Sequence, residues 1–190
     1  MVETIGPMVD EAGRRGPFVR LAHVAGGLAG GALAGASAAA LGILLGADGP
    51  DGKARGALVA LSAAALVYDA LAHGRRLGLG RQTPMGWRHR FSPGTGSFLY
   101  GVDLGTGLST RIYFASFLVA LLAAAVSGSA WVGAAIGGGF GAVRALVAIV
   151  VGRRAQGRPT LIDDLVERRS AIELVNAAAL VQFGVAISLL

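Results

Sequence analysis

"AHVAGGLAGGALAGASAAALGILLG", residues 22–46, runs for 25 residues without a single Asp, Glu, Lys or Arg. A helix needs about 20 predominantly apolar residues to cross a hydrocarbon core about 30 Å thick, so the run is long enough to span. A cleaved signal peptide is the competing reading, because "ALAGASA" offers small-x-small sites. The run is too long for most signal-peptide cores, and it follows a segment carrying Glu3, Asp10 and Glu11 rather than a purely basic one. A first transmembrane helix is the better reading.

Working outward, comparable apolar runs occupy about 57–74, 108–128, 130–152 and 171–190. Hydrophobic residues are 54% of the chain and charged residues 15%, and the mean hydropathy of +0.63 lies far from that of a soluble domain. The expected fold class is therefore all-α, a polytopic transmembrane helix bundle of about five spans forming one integral membrane domain over residues 1–190. Residues 1–21 form its N-terminal segment. The count becomes six if the 75–97 region or the 98–110 segment enters the membrane. Between the last two spans, "PTLIDDLVERRS" reads as a short helix, either in the interface or as a solvated connector.

Loop charges give an orientation. The segments 1–21, 75–97 and 153–170 hold three, five and five Lys or Arg, whereas the opposite side holds Lys53 and Arg55. Basic residues collect in cytoplasmic loops, which places the N-terminus in the cytoplasm of an inner membrane. The same rule accounts for the net charge of +6. The arginines alternate with apolar spans instead of forming a patch, so nucleic acid is not an expected partner. The expected partners are the lipid bilayer and either further copies of the chain or a membrane partner subunit.

The chain has no cysteine and three His. Thiol chemistry is excluded, and with no HxxxH or HxxE spacing neither a metal site nor a cofactor is expected. No nucleophile–base pair stands out, so no enzyme activity is expected. His23, His73 and His89 fall at the expected interfaces, as do Trp87 and Trp131.

Glycine is the loudest local signal. Gly27, Gly31 and Gly35 repeat every four residues in the first span, and Gly133, Gly137 and Gly141 do so in the fourth. Lipid tails provide no hydrophobic drive for helix association, so small faces that let backbones approach are what holds such helices together. The same glycines are also compatible with a backbone lining a substrate path.

Charges inside the apolar runs are few. Counting back about 20 residues from Ser127 sets the cytoplasmic edge of the third span near Leu108. Asp103 then lies at that edge and Arg111 one turn inside, while Glu173 and Asn176 open the fifth span. Asp69 and Arg144 lie deeper, roughly 9–10 Å from their cytoplasmic ends at 1.5 Å per residue, and are the pair expected to meet. Two readings stay open for Asp69, Asp103, Arg111, Arg144, Glu173 and Asn176: a structural ion-pair network, or a polar cavity that binds a solute or relays protons. The glycines of "DLGTGLSTR", residues 103–111, weaken a helix beside these charges, and irregular backbone is tolerated at membrane depth only within protein or against water.

"FLYGVDLGTGLSTRIYFASFLVALLAAAVSGSAWVGAAIGGGFGAVRAL", residues 98–146, combines a Gly-rich helix start, a small polar break, a long apolar run and a second Gly-rich helix. In this rhythm it resembles the second half of the membrane domain of cytochrome c biogenesis and thiol-disulfide electron carriers of the CcdA/DsbD type. Residues 26–46 are similar to the start of the first half. Those carriers have six spans in two inverted repeats and need a cysteine in each half. Because this chain has none, no functional residue transfers. The resemblance implies a carrier-like scaffold without redox chemistry. The expected function is movement of a small solute or ion through a polar cluster on the cytoplasmic side, or else a non-transporting assembly or structural role in a larger membrane complex.

Overall fold

The computed structural model describes residues 13–49, 51–71, 90–107 and 116–155. Among them the chain is all-helical. A 3-10 turn, Gly13–Arg15, leads into α1, Gly16–Leu44. Then follow α2, Gly52–Leu71; α3, Pro93–Thr106; α4, Ser116–Ala125; and α5, Ala130–Ala155. Asp69 falls within α2, its side chain outside the description, and Arg111, Glu173, Asn176, the 171–190 run and the 159–170 segment lie outside the described residues.

At α1 and α5 apolar content, length and helix coincide. Gly13–Leu44 and Ala130–Val150 are each long and apolar enough to cross a membrane. In α2, which carries Lys53 and Arg55 in its first turn, Gly56–Ala65 forms an apolar stretch among the described residues.

α1 is the central post, with α5 packed antiparallel along one side and α3 parallel along another. Its interior is built from small residues: Gly26, Gly27, Gly30, Gly31, Gly35, Ala39 and Gly42 are buried, whereas Leu28, Leu33, Leu41 and Leu44 are exposed. Leucine is also among the residues that soluble proteins most often bury. The largest fully enclosed side chains are Tyr100, His23, Val19 and Ser97.

Backbone contact explains why glycine is required there. A Cβ on Gly31 would run into the carbonyl of Gly137, one on Gly35 into that of Gly133, and one on Gly27 would lie 2.7 Å from the Gly141 oxygen. On the adjacent face of α1, Gly26 and Gly30 meet the carbonyls of Phe98 and Val102, while Gly101 and Gly105 on α3 reach back to the backbone of His23 and Gly27. α1 is thus clamped between two neighbours at van der Waals distance, the geometry in which dispersion contacts are most numerous.

Of the expected span over 108–128, residues 108–115 lie outside the described residues and Ser116–Ala125 is helical; a separate helix, α3, precedes it and ends at Thr106. α3 starts where Ser92 caps it, its hydroxyl accepting from the Thr95 amide at 3.3 Å, with Pro93 in the first turn. It stops where Gly107 adopts a left-handed φ of 68°. Helix continues through Gly101 and Gly105 because both lie against the backbone of α1, so their missing side chains permit a contact that offsets their poor helix propensity.

At the far end of α1, the α4–α5 turn is fastened by Ser127, whose hydroxyl donates to the Ala124 carbonyl at 2.7 Å. Gly128, at φ 67°, lies against the backbone of Asp48 and Gly49. α2 joins the bundle through Leu58, which packs with Ala123, Val126 and Ile136.

Candidate functional site

Contacts along α1 fix the level of its shorter neighbours. α3 begins beside Phe18 and Val19, where Gly94 faces the Phe18 ring and the Ser97 hydroxyl donates to the Val19 carbonyl at 2.9 Å, and by Gly105 it has reached Gly31. α4 ends where Ala125 touches Gly42. α3 therefore accompanies the first half of α1 and α4 the second, both running in its direction. At 1.5 Å per residue α3 is about 21 Å long, too short by itself to cross a 30 Å core. Its interruption at Gly107 lies level with the middle of α1, where the Phe117 ring of α4 closes over Gly107.

Polar side chains gather along α3 as it approaches this interruption. Ser97, Tyr100 and Asp103, spaced by three residues, are all buried and share one face of the helix. His23 of α1 is fully enclosed beside them, and its Nδ1 donates to the Ser97 carbonyl at 3.1 Å. In a neutral imidazole that bond sets the tautomer and leaves Nε2 as an acceptor. Nε2 has no hydrogen-bond partner among the described residues.

Arg144 of α5 sits at the interruption. Its guanidinium donates to the Leu104 carbonyl at 3.0 Å and lies 5.9 Å from the Phe117 centroid and 5.8 Å from that of Phe140. The last four carbonyls of a helix lack intrahelical donors, and a cation is favoured at that end. Arg144 meets both needs, while the Thr106 hydroxyl takes the Asp103 carbonyl at 3.0 Å. The two phenyl rings, 5.6 Å apart, supply a cation–π face on the apolar side. A single residue of α5 thus touches both α3 and α4.

The structure places several of the residues read from the sequence. Asp103, read as lying at or beyond a membrane edge, is buried in the last turn of α3. Arg144 donates to a backbone carbonyl of α3, and its expected partner Asp69 has its side chain outside the description. His23, expected at the interface, is enclosed by α3, an element the hydropathy count left outside the spans. Ser97 and Tyr100 were not singled out at all. Their three-residue spacing with Asp103 was the available signal, and a hydropathy window averages it away. Gly27, Gly31 and Gly35 lie against Gly141, Gly137 and Gly133. Among the described residues no group of three His, Asp or Glu is placed to hold a metal ion.

The fold and site define an all-helical chain with a buried polar line leading to a helix interruption. No known protein family, curated protein or solved structure matches it.

Proposed function

We propose that this chain is a multi-pass inner-membrane protein, N-terminus cytoplasmic, which moves a small solute or ion past the interruption between α3 and α4. The observation that carries the reading is the end of α3 at Gly107, level with the middle of α1, with Asp103 and Arg144 beside it and α4 following along α1. Broken helices at membrane depth occur where backbone lines a site or a water-filled path, and their half-helix ends supply dipoles and carbonyls to substrates and coupling ions. Ionisable residues in the same place are functional by default, since each is costly to keep there.

Membrane residence is supported by the inverted sorting of side chains. The apolar windows of α1 and α5 are only 33% and 28% buried, with Leu28, Leu33, Val143 and Leu146 facing outward. A core helix of a soluble protein hides such residues, whereas lipid solvates them. Basic residues in 1–21 and 75–97 support the orientation. The resemblance to thiol-disulfide carriers lends a scaffold and no chemistry, as the chain has no cysteine.

A second reading, a non-transporting assembly subunit, is favoured by the closeness of the α1–α5 contact and by the engagement of Arg144 with a carbonyl and two rings. Single cysteines separate the two, and the absence of native thiols makes the experiment clean. Asp103→Cys, Thr106→Cys and Arg144→Cys are treated from the cytoplasmic side with a membrane-impermeant thiol reagent, with exposed Ser92→Cys as the positive control. Labelling at 103 and 106 in folded protein is expected for a carrier. Labelling of the control alone would sink the carrier reading and leave the assembly role.

A further inference from the structure

An open groove of about 870 Å³ runs down the outside of the bundle between the N-terminal parts of α1 and α3, lined by Arg15, Phe18, Leu21, Ala25, Thr95 and Phe98 among others. It belongs neither to the buried polar line nor to the interruption. Its floor is apolar and open: Phe18 and Leu21 are 64% and 68% exposed. Its basic end is equally one-sided. Residues 13–47 and 90–102 contain Arg14, Arg15, Arg20 and Arg90 and no Asp or Glu. At that end the hydroxyls of Ser92 and Thr95, 3.0 Å apart, are exposed.

We propose that this groove binds one anionic phospholipid of the cytoplasmic leaflet, its phosphate at Arg15 and an acyl chain along Phe18, Leu21, Ala25 and Phe98. The inference rests on the membrane reading above but not on transport. Charge complementarity selects the occupant. A zwitterionic lipid would bring its own cation to a cluster of arginines, and a free phosphate would leave the phenyl and leucyl floor uncovered. From Arg15 to Ala25 the groove follows about 15 Å of helix, room for roughly the first dozen carbons of a chain. Basic residues at the cytoplasmic surface attract anionic headgroups, each strengthening association about fivefold.

The test is native mass spectrometry of the full chain, extracted from membranes and titrated with dioleoylphosphatidylglycerol or dioleoylphosphatidylcholine. At least fivefold preferential retention of the glycerol lipid is expected. Arg15→Gln should bring the two lipids close to parity. Ala25→Trp and, independently, Thr95→Trp should fill the groove from opposite walls and reduce retention of the glycerol lipid with the helical circular dichroism unchanged. Equal retention by the native chain, or a preference that survives Arg15→Gln and both tryptophans, overturns the proposal. So does displacement of the glycerol lipid by millimolar inorganic phosphate, which would reveal an anion site only. If the chain is recovered from the soluble fraction, the membrane reading fails before any lipid is added; a membrane-extracted chain without lipid preference overturns the groove alone.

Discussion

Gly137 and Gly139 are two residues apart in one helix and face opposite fates. A side chain at Gly137 would collide with the Gly31 carbonyl, whereas at Gly139 nothing lies within 4 Å. Gly137→Leu should therefore destabilise by about 3 kcal/mol or more, since backbone cannot yield as a side chain does. Gly139→Leu should be neutral or stabilising by up to about 1 kcal/mol through helix propensity. Thermal melts in detergent distinguish them. Arg144→Met leaves the Leu104 carbonyl without its donor and should cost about 1–3 kcal/mol, with Arg144→Lys recovering part of it. At this scale the four-residue repeat of Gly27, Gly31 and Gly35 was legible in the sequence, because only close approach needs such spacing. The carbonyl partner of Arg144 was not, since nothing in a residue's identity reports which backbone atom lies across an interface. A lone His23 carries the same ambiguity.

For whole elements, α1 and α5 stand close to the apolar runs at 22–46 and 130–152; each extends past its apolar part through polar residues such as Arg20 and Arg153, and α1 ends at Leu44, two residues short of its run. The end of α3 at Gly107 was legible only in part, as glycines that weaken a helix within residues 103–111. A window of apolar content cannot see a break made of Gly and Thr, which are neither polar enough to interrupt a run nor placed by composition. Ser92 and Pro93, a start signal, and Gly107, a stop signal, were present in the sequence but are outweighed in any count of 20 apolar residues. Gly107→Ala places a Cβ at a left-handed φ and against the Phe117 ring. It should cost about 1–2 kcal/mol or more, visible as a lowered melting temperature. Ser92→Ala, which removes the cap, should cost about 1 kcal/mol and raise hydrogen exchange in the first turn of α3 selectively.

Across the described residues, the arrangement puts small residues inside and large apolar ones outside, and sets α3, which ends halfway along, against a glycine-packed post, with α4 beyond it. Packing of this kind leaves little to give where α1 meets either neighbour, α5 or α3. The most direct measurement of this arrangement is a depth profile by spin labels at Thr95, Phe98 and Val102 on α3 and at Leu118 and Leu122 on α4. Collision with oxygen and with a water-soluble nickel chelate is compared in reconstituted vesicles. Depth should increase from Thr95 to Val102, peak between Val102 and Leu118, and move toward the opposite surface by Leu122. A profile in which Thr95, Phe98 and Val102 share one shallow depth would place α3 on the membrane surface and contradict the interrupted span.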